Sequence, residues 1–336
     1  MDLMKSKVLV TGADGFIGSH LVEALVKRGC DVRAMTAYNS LGSWGWLDTF
    51  NPKTLRAFEV VQSDIRDRNG VRQATEGCNV ILHLAALISI PYSYHAPGSY
   101  VETNLIGTMN VLEAARELGV ERIVHTSTSE TYGSAQFVPI TEEHPLNAQS
   151  PYAATKVAAD QMAQSYHLSF GTPVATLRPF NTYGPRQSTR AVIPSIILQL
   201  AGGSDTVKLG NLSATRDFTF VEDTAYGFIQ AAESDACVGT VTNIGSGFEI
   251  SIGDLAATIG RVMGRDIEIV QEDKRMRPAG SEVDRLFAGT ERAKSLFGWN
   301  PPHGGLDGFE KGIAKTVAWF KEPVNLNHYN DHKFHL

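Results

Sequence analysis

The sequence predicts an α/β fold: a doubly wound parallel sheet with helices on both faces, and a smaller C-terminal α/β part. Three observations predict it. Short apolar runs alternate with helix-length stretches from Lys7 to Arg178. A three-glycine turn separates the first run from the first helix. The composition, 43% hydrophobic and 20% charged over 336 residues, is that of an ordinary folded protein with ample chain for a core.

In order along the chain, Lys7 to Thr11 reads as a strand, 17–28 as a helix and 31–35 as a second strand. Further strands read at 57–62, 80–85, 123–126 and 174–178, with helices at 103–118 and 153–170. Right-handed crossovers then bring the strand C-termini to one edge, where a cofactor binds. Past Arg178 the alternation breaks, and 181–211, rich in Pro, Gly, Ser and Arg, reads as substrate-binding loops rather than scaffold. Ser251 with Asp254 forms a capping box for a helix ending at Met263, and 266–270 reads as a strand. The expected organisation is a cofactor-binding domain over 1–181, to which 220–246 returns, and a substrate-binding domain from 182–219 and 247–324. The polar stretch 325–336 reads as a loosely held tail.

A net charge of −6 argues against general affinity for nucleic acid or anionic membranes, so any phosphate must be bound locally. Cys30, Cys78 and Cys237 are widely spaced and form no C-x-x-C pair, which fits a reducing cytoplasm and no metal site. The N-terminus has the wrong order for a signal peptide, and no apolar stretch approaches the roughly 18 residues of a membrane span. A cytoplasmic protein is expected.

Gly12, Gly15 and Gly18, with Phe16 and Ile17 opening the helix, form a G-x-x-G-x-x-G turn. Glycines let backbone approach a pyrophosphate, whose charge the helix N-terminus meets. Alone, such a trio also occurs as a plain structural turn. Its spacing resembles the extended branch of the short-chain dehydrogenase/reductase superfamily, whose sheet is of the Rossmann type. That resemblance makes Asp64 and Ile65 an adenine contact. It makes His83, Leu84, Ala85 and Ala86 the strand end lining the cofactor, although alone His83 reads as a satisfied core histidine. One position departs from the pattern: the second strand should end in an acid for the adenosine ribose, and Thr36 stands there instead. No arginine follows to hold a 2′-phosphate, so NAD is the expected cofactor, with NADP left open.

Tyr152 and Lys156 lie one helical turn apart. A phenol with a free pKa of about 10 needs help to act as a base, and a neighbouring ammonium with a positive nicotinamide ring would favour the phenolate. Upstream, Thr128, Ser129 and Glu130 end the fifth strand. The T-S-E wording resembles the GDP-mannose 4,6-dehydratases and, with T-D-E, the dTDP-glucose enzymes. Sugar 4-epimerases of this branch usually carry no acid there. A carboxylate has a task in dehydration: once C4 is a ketone, C5 is acidic and a base can take its proton as the C6 hydroxyl leaves.

By the same resemblance, Asn181 approaches the sugar diphosphate, Arg216 and Arg277 hold its phosphates, and Val192 lines the substrate site. Guanidinium forks suit phosphate oxygens. The wording of 38–48, 186–194 and 277–286 is most similar to NAD-dependent 4,6-dehydratases of legionaminate biosynthesis, which act on nucleotide-linked N-acetylglucosamine. A nucleotide-diphosphate sugar is thus the expected partner. A 4-epimerase, a UDP-glucuronate decarboxylase and a cofactor-binding protein without turnover remain rivals. The resemblance also implies a homodimer through the 103–118 and 153–170 helices, with Met109, Leu112, Met162 and Tyr166 read as apolar residues on their outer faces.

Overall fold

The structure is a computed structural model and describes residues 1–329. Its first six strands are β1 (Lys7–Thr11), β2 (Asp31–Thr36), β3 (Glu59–Gln62), β4 (Val80–His83), β5 (Arg122–Thr126) and β6 (Val174–Pro179). Then come β7 (Asn181–Tyr183), β8 (Thr206–Leu209), β9 (Thr215–Phe220), β10 (Val241–Ile244), β11 (Glu249–Ser251), β12 (Glu268–Gln271) and β13 (Arg285–Leu286). Seven of them make one parallel sheet in the order β10-β6-β5-β4-β1-β2-β3. The chain winds outward from β1 to β3, then restarts at β4 on β1's other side. The crevice at that switch point opens at the strand C-termini, where dinucleotides bind in such sheets.

Alternation along the strands explains the two covered faces. Val8, Val10, Leu82, Val124 and Leu177 pack on one side with Leu21, Leu25 and Phe228. Leu9, Ile81, Ile123 and Val174 pack on the other with Val111, Ala115 and Ala163. A period of two with both sets apolar is what a sheet buried on both faces requires. The first set meets the helices Phe16–Lys27 and Val221–Glu233, the second the helices Gly107–Leu118 and Pro151–Phe170. The last of these starts sharply because the Ser150 Oγ accepts the Ala153 N–H at 3.1 Å and Pro151 fills the first turn; it stops at Gly171, whose φ of 69° is left-handed.

A smaller sheet has β9 between antiparallel β11 and parallel β13, with β7 also pairing β9; β12 and β8 form a separate parallel pair. A second core gathers Ile193, Ile197, Phe218, Leu255, Phe309 and Phe320. Ser251 caps Ile252–Met263, its Oγ accepting the Asp254 N–H at 3.0 Å and donating to the Asp254 carboxylate at 2.6 Å.

Three expectations need correction. Segment 181–211 is not a run of loops: it holds β7, β8 and the helix Val192–Ala201. Ile193, Ile196, Ile197 and Leu200 bury one face of that helix at 3.6-residue spacing, a pattern that Pro and Gly on either side obscure. Leu112 and Tyr166 do not face outward: they are 1% and 8% exposed in the core, and the Tyr166 hydroxyl donates to Glu113. Finally, the start of the expected tail is held in place: Pro323–Leu326 is helical, and half-buried Tyr329 lies against Trp46 and Phe320, its hydroxyl donating to the Gln187 carbonyl at 2.9 Å. The remainder of the expected tail, 330–336, lies outside the described residues. Among the described residues no helix is long and apolar enough to cross a membrane, and no group of three or more His, Cys, Asp or Glu is placed to hold a metal ion.

Candidate active site

The glycine turn sits between β1 and its helix because side chains do not fit there. A Cβ on Gly12 would lie 2.8 Å from the Ala85 nitrogen, and one on Gly18 would lie 2.1 Å from the Gly12 oxygen. Gly12 also has φ 67°. Gly15 caps the helix without a side chain, leaving the first-turn N–H groups of Phe16, Ile17 and Gly18 for an anion. This cradle fits a pyrophosphate. Leu84 and Ala85 are fixed opposite it, both donating backbone N–H to the Thr11 Oγ1 at 3.1 Å, with Ala86 next in line.

His83 takes no part in lining the cradle. It is 3% exposed and both ring nitrogens are bonded: Nδ1 to the Thr11 Oγ1 at 2.8 Å and Nε2 to the Thr108 Oγ1 at 3.0 Å. Thr108 donates its own proton to the Asn104 carbonyl at 2.6 Å. The Nε2–H must therefore donate to Thr108 while Nδ1 accepts from Thr11, which makes His83 a neutral, satisfied core histidine. Burial holds its pKa well below the ordinary value, with His125 and Lys156 acting in the same direction.

On the adenosine side, Thr36 is 1% exposed at the end of β2 and its Oγ1 has no protein partner. The Asp64 carboxylate forms a two-pronged pair with Arg66, the shorter contact 2.6 Å, while Ile65 is buried beneath Gly107. The Trp46 ring packs on Trp319, His328 and Tyr329.

Thr128, Glu130 and Tyr152 converge. Thr128 opens the short turn Ser129–Tyr132 in extended geometry, and Ser129 and Glu130 are buried behind it. Burial pushes the Tyr152 phenol above its ordinary value, opposed by a hydrogen bond with the Thr128 side chain and reinforced by the charge of Glu130. Burial is the largest influence on the free phenol, and the Lys156 Nζ donates to the Thr126 carbonyl at 2.6 Å. Burial also lowers Lys156 to about 8, with Asp160 opposing.

Behind Lys156 lies a network that the sequence reading missed. Asp160 accepts from the His125 Nε2 at 3.0 Å, the Ser127 Oγ at 2.6 Å and the Arg178 Nη2 at 2.8 Å. Arg178 also donates to the Tyr132 oxygen at 2.9 Å, and Tyr132 donates to Asn243 at 2.8 Å. The available signal was spacing: Tyr152, Lys156 and Asp160 stand at i, i+4 and i+8 on one helix.

The arginines reach the same space. The Arg277 Nη1 is 3.9 Å from the Glu130 Oε1 and has no hydrogen-bond partner. Arg216 is 6% exposed, its Nη2 3.6 Å from Glu282; burial lowers its pKa, Glu130 opposes this and Arg277 adds to it. The Asn181 Oδ1 is buried without a partner. Val192 opens its helix and packs half-buried on the second core.

A glycine cradle at a sheet switch point and a Tyr-Lys pair beside a strand-end Thr define an enzyme of the NAD-dependent epimerase/dehydratase superfamily, the extended short-chain dehydrogenase/reductase group. The GDP-mannose 4,6 dehydratase family model matches residues 9–316, and the chain belongs to that family. It is 34% identical over 329 residues to a dTDP-glucose 4,6-dehydratase of Streptomyces griseus, covering 94% of each chain. It is 31% identical over 319 residues to a putative UDP-glucose 4-epimerase of Methanocaldococcus jannaschii, covering 94% of this chain and 98% of that one. The crystal structure of the dTDP-glucose 4,6-dehydratase DesIV from Streptomyces venezuelae, solved with NAD bound, superposes with a TM-score of 0.82 at 28% identity, over 95% of this chain and 98% of that one.

Proposed function

We propose that the chain is a 4,6-dehydratase that converts a nucleotide-diphosphate hexose to its 4-keto-6-deoxy form with NAD. The observation that carries this reading is Glu130, a buried carboxylate converging with Thr128 and Tyr152 where dehydration needs a second base. NAD is supported by the cradle of Gly12, Gly15 and Gly18 and by its presence in the related DesIV structure. The wording of 38–48, 186–194 and 277–286 supports N-acetylglucosamine as the sugar. The homodimer is retained on resemblance alone, and a monomer at micromolar concentration in light scattering would refute it.

NAD, held by the cradle of Gly12, Gly15 and Gly18, would supply reversible hydride transfer and a positive oxidised ring that favours the Tyr152 phenolate. Tyr152 takes the O4 proton, with the Thr128 side chain beside the phenol and favouring its ionised form. Lys156, anchored on the Thr126 carbonyl, keeps a positive charge one helical turn away. Glu130 takes the C5 proton and passes it to the departing C6 hydroxyl, which leaves as water, a step for which Ser129 has no acid to offer. As the hydride returns to C6, C5 takes a proton from solvent by way of Glu130 and Tyr152 releases the O4 proton to solvent. Arg216, Arg277 and Asn181 hold the diphosphate.

A 4-epimerase is the second reading, favoured by the proximity of Arg277 and Glu130, which would tie up the carboxylate. Glu130→Gln separates the two. Under dehydration the variant keeps the first hydride transfer, reduced nicotinamide builds to at most one equivalent per site, and water loss slows by about 10²-fold or more. The wild type should carry solvent deuterium into C5 and accumulate no free NADH. Product of unchanged mass, made equally fast by both proteins, would identify an epimerase; loss of carbon dioxide from a glucuronate would identify a decarboxylase.

A further inference from the structure

Strand β2 ends without a carboxylate, yet the structure brings one to that place from elsewhere. Asp14, between Gly12 and Gly15, turns its side chain to the end of β2, where its Oδ2 accepts the Ala37 N–H at 3.3 Å. The segment after β2 fixes it from behind: the Trp46 N–H donates to the Asp14 carbonyl at 3.1 Å. Gly45, at φ 58°, sits so close that a Cβ on it would lie 2.6 Å from that oxygen. A carboxylate has about four acceptor positions. Asp14 has one side-chain hydrogen bond and no ion-pair partner among the described residues, although it is half-buried and burial raises its pKa. The residue in the expected position, Thr36, is closed off at 1% exposure.

We propose that Asp14 is the carboxylate that holds the adenosine ribose in this chain, accepting from its 2′- and 3′-hydroxyls, and that its charge repels a 2′-phosphate. The glycine turn then does two jobs, cradling the pyrophosphate through its backbone and selecting NAD over NADP through Asp14. The inference rests on the NAD reading above. It adds the residue responsible for the choice of dinucleotide, which the second strand alone leaves open.

The test is equilibrium binding, measured calorimetrically on protein freed of co-purified nucleotide, with NAD, NADP and 2′-deoxy-NAD as ligands. Wild type should bind NAD at least about 10-fold more tightly than either analogue, the scale of a hydrogen bond to a charged group. Asp14→Asn keeps the size and an acceptor for Ala37 but removes the charge, so its preference for NAD over NADP should collapse toward unity. Asp14→Ala should bind NAD and 2′-deoxy-NAD alike. The proposal is overturned if Asp14→Asn rejects NADP as strongly as wild type, or if wild type binds 2′-deoxy-NAD as tightly as NAD. This second result needs no variant to fold. Wild type that binds neither NAD nor NADP overturns the cofactor reading itself, whereas tight NAD binding indifferent to Asp14 overturns the present inference alone.

Discussion

Asp160→Asn tests the buried network beneath the catalytic helix. Burial raises the Asp160 pKa, but its bonds from His125 and Ser127 and the charge of Arg178 outweigh this and hold it at about 2, against 3.8 for a free aspartate. Each unit is worth about 1.4 kcal/mol, so ionised Asp160 adds about 2 kcal/mol to folding at neutral pH. The folded value lies below the unfolded one, so this contribution is complete above about pH 4 and disappears as pH falls toward 2. The amide also leaves Arg178, with its side chain 4% exposed, without its charge partner, which raises the expected loss at pH 7 to about 3–5 kcal/mol. Urea denaturation at pH 7 and pH 3 should show a large gap between variant and wild type at the first and a smaller one at the second. The charge of Asp160 also raises the Lys156 pKa, so in the variant the Lys156 value should move below about 8 and the corresponding limb of the pH–rate profile toward acid. An unchanged unfolding midpoint at pH 7, or an unmoved limb, would refute the reasoning.

Tyr152→Phe keeps the ring and removes the hydroxyl, so turnover should fall by about 10²-fold or more while NAD affinity, measured calorimetrically, stays near wild type. Near-normal turnover would move the acid–base group elsewhere. Gly18→Ala places a methyl 2.1 Å from the Gly12 oxygen, which the turn can accommodate only by opening. NAD affinity should drop by at least about 10-fold, and wild-type affinity would show that the cradle is not the pyrophosphate site.

What could be read from the sequence depended on the length of each signal. The long parallel sheet was legible because runs such as Val8–Leu9–Val10 and Val80–Ile81–Leu82 are apolar on both faces. β7 and β13, at three and two residues, are too short to show a period, and they pair only because β9 lies beside them. The helix at Val192 was legible in its 3.6-residue spacing but lost to the glycines and prolines averaged around it. Leu112 and Tyr166 show the converse: an apolar position on a helix says that something covers it, not whether the cover is the same chain. In the site, Tyr152 and Lys156 could be named from their spacing of one helical turn, and Thr128 and Glu130 because the strand-end wording resembles that of the superfamily. Asp14 meeting Ala37, Arg277 nearing Glu130, and the proton order through Thr11, His83 and Thr108 depend on long-range folding that no local window contains.

The place of β10 bears on how the protein is made. β10 covers the outer edge of β6, a strand buried along its whole length, and the helix Val221–Glu233 covers the Leu21 and Leu25 face of the first helix. The starting ammonium of Met1 even donates to the Glu233 carbonyl at 3.0 Å. A ribosome that has finished β6 must still translate to Ile244 before that edge can close, roughly 3–13 s at about 5–20 residues per second. During that interval the nascent chain exposes a bare parallel edge and an apolar helix face, the kind of surface that recruits holding chaperones or other unfinished chains. A fragment ending at 181 would keep that state permanently, and it should sediment as aggregate rather than survive as a small dinucleotide-binding domain.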